Sequence, residues 1–160
     1  MNAFFIGVLP PSPHSERYAH ITAETLESRM RRGADWVISM QELSGRFQYW
    51  YNPIDDRFSH ESDDNFLRQA GTSFSLILVY QMTGERRYLV GARQSIAYLL
   101  SFKQQLDGDK AYFLFDGKAK LGGISLPMLT MLKIRRLIGT TEYDESLSQL
   151  ANMILLLQAK

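Results

Sequence analysis

The segment Ala97-Tyr98-Leu99-Leu100-Ser101-Phe102-Lys103-Gln104-Gln105-Leu106-Asp107-Gly108 has counterparts elsewhere in the chain. Its skeleton is Ala97, Leu100, Gln104, Leu106 and Gly108. The same spacing returns as Ala34, Val37, Gln41, Leu43 and Gly45, and its first three members as Ala151, Ile154 and Gln158. An alanine and an apolar residue at this offset lie on one helical face. Recurrence at a long, regular interval implies stacked helical hairpins, with each glutamine expected near the end of a helix. Independent landmarks keep the register: Gly84 and Gly139 are separated by the same interval as Tyr88 and Tyr143.

Outward from these copies, the first helix is expected over about Ala23 to Met40, with Thr22 as N-cap, Glu24 at the positive end of the dipole, and Leu26, Met30, Val37 and Met40 on one face. Gly33 and Ala34 would let a neighbour approach closely. A second helix is expected from Asn65 to Thr83, with Asp64 as its cap and Gly84 as its stop. Only Gly84-Glu85 separates it from a third, Arg86 to about Lys103, so the two must be antiparallel neighbours. A fourth runs from about Gly123 to Ile138, where Pro127 is tolerable only in the first turn, and a fifth from about Glu142 to Gln158. Between them, Ser44 to Asp64 reads as a long loop with a turn at Asn52-Pro53. Leu106 to Leu121 reads as a small hairpin around Asp116-Gly117.

The chain has 160 residues, enough for one domain with a sizeable core, and its 45% hydrophobic and 22% charged content is ordinary. A formal charge of +1 gives no electrostatic reason to expect nucleic acid or an anionic membrane as a partner. No cysteine is present, which removes disulfides and thiolate metal sites. The apolar run Phe4 to Leu9 lacks a basic flank and meets Pro10-Pro11 at once, a poor export signal, so a cytoplasmic location is expected. Residues 1–22 are read as an irregular arm and 23–160 as the helical domain. The last helix, with Leu147, Leu150, Met153, Ile154, Leu155, Leu156 and Leu157, is apolar nearly all round and wants further neighbours. The expected supplier is a continuation of the array in a longer protein or a second copy of the chain, a homo-oligomer through this terminal helix.

The hairpins Arg68-Gln69-Ala70-Gly71-Thr72 through Thr83-Gly84-Glu85-Arg86-Arg87-Tyr88-Leu89, and Lys120-Leu121-Gly122-Gly123 through Ile138-Gly139-Thr140-Thr141-Glu142-Tyr143, resemble those of the six-hairpin glycosidase-like superfamily. The likeness extends over roughly residues 23–160 and identifies an architecture rather than a catalytic family. Those proteins are (α/α) toroids with an inner and an outer ring of helices, and they include glycoside hydrolases, polysaccharide lyases, sugar epimerases and members with no assigned activity. The resemblance implies an all-α fold, antiparallel helical hairpins forming an arc of an (α/α)6-type toroid. It also implies a carbohydrate-active or carbohydrate-binding domain, as part of a longer enzyme if the arc is incomplete. The alternative is a non-catalytic helical-repeat module that binds other proteins.

In such a toroid the loops leaving the second helix of each hairpin gather at one end. Here they are Ser44 to Asp64 and Leu106 to Leu121, the stretches richest in aromatic and acidic residues. Asp63, Asp64 and Asp116 are the candidate catalytic acids, since hydrolysis needs two carboxylates across the scissile bond. Tyr49, Trp50, Tyr51 and Tyr112 are candidates for stacking on sugar faces, and His60, Arg68 and Lys118 for binding hydroxyls or carboxylates of an oligosaccharide or polysaccharide. The plainer account is that the rings plug the end of the helical ring, that Asp64 caps a helix, and that Arg68 and Gln69 hold the first loop. His14, His20 and His60 lack metal-ligand spacing and the paired aspartates do not match a calcium loop, so neither metal nor cofactor is expected.

Overall fold

The computed structural model describes residues 21–60 and 63–158. The arm expected at the amino terminus falls almost wholly outside the described residues. Among the described residues there are five helices and two small antiparallel hairpins, in the order α1 (Ala23–Ser39), β1 (Tyr51–Asn52), β2 (Arg57–Phe58), α2 (Phe66–Thr83), α3 (Arg86–Leu100), β3 (Lys103–Asp107), β4 (Lys110–Phe113), α4 (Leu121–Ile138) and α5 (Asp144–Gln158). The fold is therefore mostly helical, with strands confined to the connections.

Helix boundaries follow from local chemistry. Thr22 caps α1 by accepting from the Thr25 N–H at 3.1 Å. Gly84 and Gly139 both close their helices at φ 69°, a conformation that costs glycine little. The expected cap of α2 is corrected: Asn65, not Asp64, occupies that position and accepts from the Arg68 N–H at 3.2 Å. Pro127 also departs from expectation, because it lies in the second turn of α4 rather than the first. The ring removes a bond to the Gly123 carbonyl, a defect of about 3 kcal/mol in an isolated helix. Full burial of the ring offsets part of it.

The glutamine phrase is not wholly helical. α1 ends at Ser39 and α3 at Leu100, and the chain then turns extended, so Gln41 bridges Phe47 and Gln104 pairs with Tyr112. Only Gln158 remains on a helix. The stop in α3 is local: Ser101 Oγ donates to the Tyr98 carbonyl at 2.6 Å, and the Phe102 N–H to that of Leu99 at 3.1 Å. The principal hairpin accordingly starts earlier than expected and turns at Gly108-Asp109. Asp116 and Gly117, at φ 50° and 66°, make a second, minimal turn, in which Phe115 and Lys118 exchange backbone bonds at 3.0 Å.

The second side-by-side pair of helices fixes the architecture. A side chain at Gly123 would meet the Phe66 ring at 3.6 Å, and further along Ser73 and Thr130 lie 3.4 Å apart. α2 and α4 therefore run in the same direction, with their N-termini level. α3 packs on both, α5 packs on α4 and the β3–β4 hairpin, and α1 lies against α2 and α3. The core between them holds Leu76, Ile77, Tyr88, Ile96, Leu99, Met131, Ile134 and Leu150, all buried. Each large apolar side chain so removed from water contributes about 1.5–3 kcal/mol.

Candidate functional site

Because α2 and α4 start level, the connections that precede them meet at one end of the molecule. A cleft of about 140 Å³ opens there, lined by Asp64, Asn65, Phe66 and Leu67 from the first connection and α2, and by Phe113, Phe115, Asp116, Lys118, Lys120 and Gly123 from the second and α4. Its apolar part belongs to an aromatic cluster. Phe66 lies 5.2 Å from Phe113 and 5.6 Å from Phe115, and Phe102 stands edge-on to Phe66 at 6.0 Å between ring centres. Phe66 and Phe113 are buried and Phe115 half-buried, so the rings belong mainly to the core and form the inner wall of the cleft.

The acids have different surroundings. Asp64 is half-buried and its carboxylate is fully engaged: Oδ1 accepts from Gln69 Nε2 and from the Asn65 N–H, both at 2.7 Å, and Oδ2 from the Tyr98 hydroxyl at 2.6 Å. Burial, with the bond to Asp64 second, pushes the Tyr98 phenol well above its usual range. Gln69 is itself buried and closes the network, accepting from the Phe47 N–H at 2.8 Å and donating to the Phe47 carbonyl at 2.6 Å. Asp116, by contrast, is exposed, on a left-handed backbone, with Lys118 Nζ at 3.5 Å. Lys120 starts α4 with no side-chain cap, which leaves a cation beside the positive end of that helix.

Of the residues singled out from sequence, Asp64, Asp116 and Lys118 are brought together. Asp63 is not among the lining residues and accepts from the His60 N–H at 3.3 Å, holding the loop. Tyr49 and Arg68 meet each other, guanidinium 5.3 Å from the ring centre, in a different groove between α1 and α2. Tyr51 stacks on Phe58 at 4.8 Å and donates to Asp56 at 2.9 Å. Trp50 and His60 are exposed on the same connection, and Tyr112 is half-buried against the core on β4. Sequence reasoning missed Asn65, Phe66, Lys120 and Gly123, which matter because they sit at helix starts level with one another. It also missed Tyr98, which reaches Asp64 from the end of α3.

Beneath the first connection, buried Arg46 is bonded to Glu42 through Nη2 at 2.6 Å and Nε at 3.1 Å, and this bond raises its already high pKa. Gln41 Nε2 donates to the carbonyls of Gly45, at 3.0 Å, and Gly91, at 2.9 Å, tying the connection to α3. Gly45 is required there: its φ is 89°, and a side chain would run into the Gln94 carbonyl. Among the described residues no group of acidic or histidine side chains could hold a metal ion, and no helix is long and apolar enough to cross a membrane. Comparison with known protein families, with curated proteins and with solved structures gives no match to this chain.

Proposed function

We propose that this chain is a carbohydrate-binding domain whose helices form an arc of an (α/α) toroid of the six-hairpin type, with α2 and α4 as inner and α1, α3 and α5 as outer helices. The observation that carries the reading is the convergence of both aromatic and acidic connections on one cleft at the level starts of two parallel helices. A sugar offers apolar C–H faces and a rim of hydroxyls. The cleft offers an apolar wall of Phe66 and Phe115 beside Asp64, Asn65, Asp116, Lys118 and Lys120. At about 140 Å³ it is smaller than the roughly 300–1,000 Å³ of pockets that enclose a drug-sized ligand, so it would hold one end or one unit of a saccharide.

Binding is favoured over turnover as a glycoside hydrolase, lyase or epimerase because both Asp64 oxygens are committed to internal donors. A catalytic pair needs two carboxyls able to move a proton or attack, and Asp116 alone is left for that. The test is titration of the labelled protein with a panel of neutral and acidic oligosaccharides, following the amide resonances of residues 64–67 and 113–123. Asp116→Asn and Lys118→Ala, both at exposed positions, should weaken binding several-fold without lowering the melting temperature. Trp50→Ala should weaken it only if the saccharide extends onto the first connection. A panel that shifts none of these resonances overturns the reading, and turnover abolished by Asp116→Asn would replace binding with catalysis.

A further inference from the structure

The groove between α1 and α2 that receives Tyr49 and Arg68 differs from the cleft in its chemistry. It encloses about 180 Å³, walled by Trp36, Val37 and Met40 of α1, by Phe47 and Tyr49 of the first connection, and by the start of α2 at Arg68. Arg68 is the single charged residue that lines it, and no carboxylate does. The arginine is fixed from both ends: Asn65 Oδ1 accepts from its backbone N–H at 3.2 Å, and its guanidinium stacks on Tyr49, 5.3 Å from the ring centre. Two arginines stack on tyrosine rings among the described residues, and the other, Arg87, is neutralised by Asp35 at 3.0 Å and Glu85 at 2.6 Å. Arg68 makes no ion pair and no side-chain hydrogen bond among the described residues, so one face of its fork is occupied while the donor edge is free. The inner wall is held as well. Gln69 clamps Phe47 through both backbone groups, and Ser59 Oγ accepts from the Tyr49 N–H at 2.8 Å.

We propose that this groove binds a small aromatic monocarboxylate, with the ring against Trp36, Met40 and Phe47 and the carboxylate on the Arg68 guanidinium. Size fits a single ring, since an apolar cavity of about 150 Å³ takes up benzene. Charge fits a single negative group: a lone guanidinium meets a carboxylate through two parallel hydrogen bonds, whereas a phosphate monoester would bring further charge with no second cation to receive it. Polarity favours an arene over a sugar. Of the uncharged polar side chains in the lining, Gln69 is committed to Phe47, which leaves only Gln48 and Thr72 for a ring of hydroxyls. Trp36 is 54% exposed, so a planar ring gains contact with an indole that water now covers. The groove faces α1 and the cleft faces α4, on opposite sides of α2, and this proposal does not depend on the carbohydrate reading.

The chain has two tryptophans, so Trp50→Phe leaves Trp36 as its one indole. In that background benzoate should quench the Trp36 emission saturably. Benzyl alcohol, which keeps the ring, and acetate, which keeps the charge, should each bind about tenfold more weakly or worse. Arg68→Gln, at an exposed position, should weaken benzoate to the level of benzyl alcohol without changing the melting temperature. In the wild-type chain benzoate should shift the amide resonances of residues 36–40, 47–49 and 68–72, a readout independent of the tryptophan replacement. Absence of saturation at millimolar benzoate, equal binding of benzoate and benzyl alcohol, or full affinity in Arg68→Gln each overturns the proposal. So do shifts confined to the cleft, at residues 64–67 and 113–123, and so does trigalacturonate bound in preference to benzoate, which would make the groove a second saccharide site.

Discussion

The two connections that lead into α2 and α4 hold the same place in the fold by different chemistry. The first, from Met40 to Asn65, is held by side chains: Gln41 on Gly45 and Gly91, Gln69 on Phe47, and Asp64 on Tyr98. The second, from Ser101 to Lys120, is held by a backbone ladder and a stack of Phe102, Phe113 and Phe115 on Phe66. A polar network is strong only while every member is satisfied, whereas apolar packing weakens in proportion to the volume left unfilled. The comparison teaches that a repeated backbone position need not repeat its stabilising interactions.

Substitutions at each connection can break this contrast. Phe66→Ala should cost about 3–5 kcal/mol, as for a buried aromatic removed from a core, and loosen the second connection first, seen as faster hydrogen exchange in β3–β4. Gln69→Ala should cost roughly 2–3 kcal/mol by leaving the Phe47 N–H and carbonyl without partners, with exchange rising at residues 45–49 instead. Equal exchange changes in both connections for either variant would refute the division. Gly84→Val, at the far end of the hairpin, should cost about 1–2 kcal/mol from its left-handed backbone while both connections stay protected. An unchanged melting temperature would count against that geometry.

Tyr98→Phe removes a bond to a carboxylate that keeps its two other donors, a loss of about 1.5 kcal/mol near neutral pH, and sharpens the contrast through pH. The phenol titrates higher folded than unfolded, so above about pH 10 the unfolded state releases a proton that the folded state keeps. The stability that Tyr98 contributes is thus intact below about pH 10 and lost as pH rises through its folded value. Denaturant midpoints of wild type should fall more steeply with alkaline pH than those of Tyr98→Phe. Parallel curves would show that Tyr98 is not the group responsible, Tyr51, Tyr88 and Tyr143 being the other phenols raised in the fold.

Local signals were legible wherever one residue type suffices. Thr22 reads as a cap, Gly84 and Gly139 as stops, and Asp116-Gly117 as a turn, because each of these depends on backbone geometry within a few residues. Errors came where two local options compete. Gln104 could extend α3 or begin a strand, and pairing with Tyr112, remote in sequence, settled it. Asp64 and Asn65 could each cap α2, and Tyr98 and Gln69 claimed the first and left the second. Half the cleft was visible as loop acids and lysine. The rest, Phe66 and Gly123 above all, became visible only when α4 was seen beside α2.

The sequence by itself determined the helix boundaries at Thr22, Gly84 and Gly139 and that the hairpins are antiparallel, since capping, glycine and short links act over a single turn of chain. Tertiary structure alone decided that α2 and α4 lie parallel with level starts, that Asp64 faces inward to Tyr98 while Asp116 faces water, and that Leu26 and Trp36 of α1 stay exposed. Those outcomes depend on which faces meet across long stretches of chain. An apolar stripe states only that some neighbour is favourable, without naming it.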